Sequence, residues 1–329
     1  MKKVIMFVLT AMVLSSCSDF IDLKPIDFPT EETFYKDVKG LEGAVIGIYD
    51  ELQSSDQYGA KFMTLMEVRG DNVKNDNSGA SGGITYQIEV FTETPANSNL
   101  SGAWLSLYKT IYRCNLVLQN VEEVPMSDEQ RSRIAGQASF IRALCYFNLV
   151  RLWGEVPIIT KTQTVAEARN NKRAPIDEVY GQIISDLAVA KGLPAVWPES
   201  ERGRATSYAA HALLAKVYLY RKNYQEVVNE LAPVVAAIHA GKDLMLVPMP
   251  QTFPNDLKTS KDIIFAVQYL KGGVGESVHQ TTAIVTMTMA ISSHWSKRSL
   301  KATRITVRPG RTYGQRTASG QVQCSGNEQ

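Results

Sequence analysis

The chain has 329 residues, 44% hydrophobic and 21% charged, with 35 Lys and Arg against 33 Asp and Glu. This is ordinary globular composition, and the length allows one large domain or two smaller ones. The charge is uneven: Lys2 and Lys3 open the chain, residues 277–329 hold seven basic residues and one acid, and residues 17–276 keep 26 basic against 32 acidic, net −6. A mildly acidic body argues against nucleic acid as a partner, and Cys17, Cys114, Cys145 and Cys324, with no CxxC spacing, support neither a disulfide framework nor a zinc site.

Residues 1–16 have the order of a secretory signal: two lysines, the apolar run Val4 to Leu14, then Ser15 and Ser16. That run is too short to span a bilayer, which needs roughly 20 residues. Leu14-Ser15-Ser16-Cys17 resembles the lipobox of bacterial lipoproteins, which implies cleavage before Cys17 and a lipid anchor on its thiol. Acyl chains together on one residue supply the multiple membrane signals that stable anchoring requires. Ser18, Asp19 and Asp22 resemble the acidic patch that sends some Gram-negative lipoproteins to the cell surface.

Residues 17–40, with Pro25 and Pro29, are expected to run extended as a tether. A body at 41–276 then begins with a helix marked by Leu41, Val45, Ile48 and Leu52. From 54 to 101 the chain makes a long polar excursion. Gly, Asn, Asp and Ser cluster at 70–83, and Ile84, Tyr86, Ile88 and Val90 alternate as in a short strand. Long excursions from a helical scaffold are more often functional than decorative. Helical periodicity returns at Trp104, Tyr108, Ile111 and Leu118, then along one face through Ile134, Ala138, Ile141, Cys145, Leu149 and Leu152. A further helix, opened by Pro175, runs through Val179, Ile183, Leu187 and Ala190. "SYAAHALLAKVYLY" and "YQEVVNELAPVVAAI", separated by Arg221-Lys222-Asn223, form a close-packed pair resembling a tetratricopeptide hairpin. The expected fold is mainly all-α, tetratricopeptide-like hairpins stacked as an α-solenoid, with long inserted loops and a short strand or two.

Five blocks, "AWLSLYKTIYRCNLVLQNV" (103–121), "GQASFIRALCYFNLVRLWGEVPI" (136–158), "RAPIDEVYGQIISDLAVA" (173–190), "GRATSYAAHALLAKVYLYRKNYQEV" (203–227) and "DIIFAVQY" (262–269), resemble the SusD/RagB family in order and approximate spacing. The resemblance covers roughly 17–276. It implies a surface lipoprotein of the outer membrane that binds glycans, or in some branches peptides, as the lid of a SusC/RagA-type TonB-dependent transporter. Periodicity alone reaches only a solenoid binding module. Arg142, Tyr146, Arg151, Gly154 and Pro157 stand where the family's strongest motif ends a helix and turns, and they are read as architecture, as is Trp104. Asn115 and Asn148, beside apolar stripes, are expected to have their amides satisfied by neighbouring backbone.

Sugar recognition needs aromatic faces for C–H surfaces and Asn, Asp or Arg for paired hydroxyls. The excursion carries both kinds, and the candidate ligand-binding residues are Tyr58, Arg69, Asp71, Asn72, Tyr86, Asn97 and Asn99, with Asn75, Asp76 and Phe91 beside them. Gly79 to Gly83 matches G-x-S-x-G, but a nucleophile elbow needs a buried strand before it, and "DNVKNDNS" is polar. The four histidines lack metal spacing, His211, in an alanine-rich helix, is read as a satisfied side chain and not as a ligand, and no metal or other cofactor is called for. The leading reading is oligosaccharide capture and delivery. A helical-repeat protein adaptor is the alternative, and a two-carboxylate glycan hydrolase ranks last.

Residues 277–327 contain no acid, and their charges are scattered where a functional basic tail clusters them. The family resemblance also stops just after "FAVQYLKGG". The favoured reading of 277–329 is therefore an aberrant, disordered stretch produced by a frameshift near codon 276, which would leave a weakened or nonfunctional member.

Overall fold

The computed structural model describes residues 34–70, 79, 83–247 and 261–269. Cys17, Asp71, Asn72, Asn75, Asp76, the signal segment and the 277–329 tail lie outside the described residues. The described chain is helical in the order α1 Val38–Leu52, α2 Ala60–Glu67, α3 Ile84–Glu89, α4 Ser98–Asn120, α5 Asp128–Trp153, α6 Val165–Ala168, α7 Ile176–Ala190, α8 Ser207–Tyr220 and α9 Tyr224–Ala240. None of these helices is long and apolar enough to cross a membrane.

Caps set most of the boundaries. Asp37 accepts from the Gly40 N–H at 2.7 Å, so α1 starts at Val38, inside the stretch read as tether. It buries Leu41, Val45, Ile48 and Leu52 as their spacing predicts. Ser127 and Gln130 close a capping box on α5, Pro175 takes the N-cap of α7, and Thr206 caps α8. Gly154 ends α5 at φ 72°, ψ −115°, a conformation that glycine alone adopts without strain.

Two expectations are corrected. The strand expected over Ile84 to Val90 is helix α3, and the 54–101 excursion carries two short helices. Ile84 and Ile88 also stand at i, i+4, and burying Ile88 fully satisfies the helical reading. Between described residues the extended pairing is an antiparallel bridge joining Val156 and Ala174. The second correction concerns α5, expected to bury one face. Every residue from 136 to 150 is buried. Helix α5 is thus the central rod of the body, with α4 and α7 packed against it. The α8–α9 hairpin turns through Lys222 at φ 59° and continues the stack beyond α7. Only Val234 and Ala237 of α9 are buried.

Candidate functional site

Arg142, Tyr146 and Asn148, polar side chains buried inside α5, are hydrogen-bonded and fix the neighbouring elements. Arg142 forks onto Asp186 of α7, Nε to Oδ2 at 2.9 Å and Nη2 to Oδ1 at 2.6 Å. Its Nη1 donates to Asn115 Oδ1 of α4 at 2.8 Å, and Asn115 Nδ2 donates to the Ile159 carbonyl at 2.9 Å. The Tyr146 hydroxyl donates to that carbonyl at 3.0 Å and accepts from the Ile159 N–H at 2.7 Å. This network latches the segment after Pro157 onto three helices. The architectural reading of Arg142 and Tyr146, and the backbone partner of Asn115, hold. Asn148 differs: side chains satisfy it, with Nδ2 donating to the Tyr58 hydroxyl at 2.7 Å and Oδ1 accepting from Arg151 at 2.6 Å. Trp104 packs on Tyr108 and Trp153 at ring separations of 4.9 and 5.3 Å.

The expected ligand residues separate into two groups. Tyr58 is built into the frame: its hydroxyl meets Asn148, its carbonyl accepts from Tyr269, and its ring stands edge-on to Phe62. Burial pushes its phenol well above the ordinary range. Asn97 is buried and caps α4 through the Asn99 N–H, while its Nδ2 donates to the Ile84 carbonyl at 2.9 Å and to Gln87 at 3.1 Å. It therefore clamps α3 onto the start of α4. Asn99 is buried beside it. The Asn97 amide is occupied on both its oxygen and its nitrogen by these bonds.

The open residues are Tyr86 and Phe91, 38% and 69% exposed. Phe91 sits at φ 56°. Its N–H bonds to the Ile88 carbonyl and the Thr92 N–H to the Gln87 carbonyl, the Schellman closure of α3. That position is normally glycine, and a large side chain there costs about 1–2 kcal/mol. Strain of this kind clusters at ligand clamps and switch regions. Arg69 pairs with Glu93, two residues after Phe91 in the chain, and Arg69 Nε and Glu93 Oε2 are buried without a hydrogen-bond partner among the described residues. Tyr86 and Phe91 are exposed aromatic faces of the kind on which a sugar ring stacks.

A second concavity escaped sequence reasoning. Cavities of about 120 and 280 Å³ flank Arg202, Gly203 and Arg204, under the 263–268 segment. Trp197 lies there between two guanidiniums, Arg133 and Arg204, each 5.6 Å from its ring centre. The charges here are committed: Arg204 to Glu201 at 3.1 Å and Lys261 to the Lys242 carbonyl at 2.7 Å. Gly203, at φ 101°, has no room for a Cβ, which would meet Gln268 Cγ at 2.8 Å. The tight joint reads as a packing seam. Among the described residues no three His, Cys, Asp or Glu side chains converge as a metal site requires. His211 is satisfied by Glu230 at 2.7 Å.

The described chain is thus a stack of helices around a buried rod, with aromatic side chains exposed on an inserted excursion. A family profile described as "Starch-binding associating with outer membrane", of the SusD-like type, matches residues 19–219. The chain belongs to the SusD-like family. SusD-like protein P2 of Formosa agariphila is 31% identical over 277 residues, covering 82% of this chain and 54% of that protein. A SusD-like protein of Bacteroides ovatus is 30% identical over 226 residues, 68% of this chain and 40% of the relative. Among solved structures, a SusD-like protein from Bacteroides fragilis superposes with a TM-score of 0.65 at 26% identity, over 75% of this chain and 48% of its own. A laminarin-binding SusD-like protein gives 0.60 at 26% identity, over 70% and 51%. The chain spans about half the length of the relatives it matches.

Proposed function

We propose that this chain captures oligosaccharide at the outer face of the outer membrane, anchored through a lipid on Cys17, and passes it to a SusC/RagA-type TonB-dependent transporter. The observation that carries the reading is membership of a family described by starch binding and outer-membrane association. Its support is the laminarin-binding relative of the same fold and the open Tyr86 and Phe91 on the excursion. The sugar's apolar face rests on these rings, while Arg69 and Glu93 hydrogen-bond its hydroxyls. The chemistry is binding without bond making.

The test uses the full chain and titrates it with starch and laminarin oligosaccharides by calorimetry. Tyr86→Ala and Phe91→Gly are each expected to weaken binding about tenfold, from the roughly 1–1.5 kcal/mol an aromatic face contributes. Phe91→Gly should leave the melting temperature unchanged or higher, because it relieves the left-handed backbone. Binding that survives both substitutions would place the sugar elsewhere, and a wild-type chain that binds no oligosaccharide would overturn the function. Lipidation has its own readout: mass spectrometry of membrane-extracted protein should find the N-terminal lipid on Cys17, and unmodified wild-type protein in the soluble fraction would refute the anchor.

A further inference from the structure

Away from the excursion, the C-terminal ends of α5 and α8 gather positive charge around an open aromatic ring. Tyr220 is 50% exposed and stands edge-on to Phe147 at 5.2 Å. The Arg151 guanidinium lies 4.5 Å from the Phe147 ring centre and 5.9 Å from that of Tyr220. Lys216 sits one helical turn before Tyr220 on α8, so the two side chains share a face. Next along the chain, Arg221 lies 5.0 Å from the Tyr180 ring centre and pairs with Asp177 at 2.5 Å. Arg151 Nε donates to the Phe147 carbonyl and Nη2 to Asn148 Oδ1. Lys216 is half-buried and has no hydrogen bond or ion pair with any described residue. Burial first, and the nearby Arg151 second, hold its ammonium below the ordinary lysine range. The fold thus holds two cations within mutual repulsion while the neighbouring carboxylate serves a third. A half-buried ammonium of this kind is stabilised by an incoming anion, and a ring beside it suits a sugar's C–H face.

We propose that Lys216, Arg151 and Tyr220 form a second sugar subsite, selective for an oxyanion carried on the ring, a sulfate ester or a uronate carboxylate. It rests on the glycan-binding reading and adds to it a preference for acidic chains. Lys216 supplies the unspent charge, Arg151 supports the local potential, and Tyr220 is the platform.

The experiment compares a chemically sulfated laminarin oligosaccharide with its unsulfated parent on the full chain. Wild type should bind the sulfated form roughly tenfold more tightly, the scale of one charge-assisted hydrogen bond. Lys216→Gln should abolish that preference and keep the parent's affinity and the melting temperature; Lys216→Arg should retain the preference. A wild type without preference, or a preference that survives Lys216→Gln, overturns the subsite. A separate arm follows the Lys216 ammonium by NMR in sodium sulfate against sodium chloride at equal ionic strength. Sulfate is expected to raise its titration midpoint, and no rise counts against the subsite even if no oligosaccharide binds. Loss of all oligosaccharide binding with the sulfate response intact would sink the glycan reading and leave the anion site standing.

Discussion

Asp186→Ala is expected to destabilise the fold by about 3–5 kcal/mol, the cost of stranding one partner of a buried ion pair. Arg142 is 8% and Asp186 3% exposed, so water cannot replace the lost carboxylate. Asn115 Oδ1 and the Thr160 carbonyl remain as acceptors, but both are neutral and neither reproduces the fork. Typical domains have only about 5–15 kcal/mol in total, so urea melts should show a large fall in midpoint. Replacing both partners, Arg142→Met with Asp186→Leu, should recover most of it, because an apolar pair has no desolvation cost to offset. A single variant within about 1 kcal/mol of wild type would show that the pair is not integral to the core.

Alkaline pH should unfold the protein through its two described cysteines. Cys114 and Cys145 are both fully buried, and burial pushes both thiols up, far above their ordinary value of 9.0. In the unfolded chain they ionise near that value, while in the fold they keep their protons. Above pH 9 the unfolded state therefore binds fewer protons, and stability falls as pH rises. The expected slope is about 1.4 kcal/mol per pH unit for each thiol, or roughly 2.7 for the pair. Below pH 9 neither thiol contributes a slope. The buried Tyr146 phenol, also pushed up by desolvation, joins above its ordinary value of 10.0. Denaturant melts at pH 7, 9 and 10 measure the effect. Cys114→Ala with Cys145→Ala should flatten the profile between 9 and 10, and an unchanged slope in that variant would refute the assignment.

Most of the scaffold was legible because apolar periodicity and caps agree. Leu41 to Leu52 and Val179 to Ala190 bury the stripes that their spacing marks. The burial of all of α5 is not legible for a physical reason: Gln137, Arg142 and Asn148 look like a solvent face until their partners Tyr49, Asp186 and Tyr58 are known. Those partners lie dozens of residues away, beyond any local window. The misread of 84–90 came from a run too short to separate a period of 2 from 3.6. Of the expected ligand residues, Asn97 carried a signal that could have been used: an asparagine just ahead of a long amphipathic segment is a cap before it is a ligand. Phe91 carried none, because its left-handed backbone is visible only in the fold.

The clamp from Asn97 to Ile84 and Gln87 has a consequence for affinity. A six-residue helix has too few internal bonds to persist alone, yet α3 is tied to the first residues of a 23-residue helix that packs along the central rod. The entropy of ordering the Tyr86 and Phe91 backbone is thereby spent during folding, before any sugar arrives. Under the proposed function, weak C–H contacts, each worth little, would then appear in full as binding free energy instead of being consumed by freezing a loop.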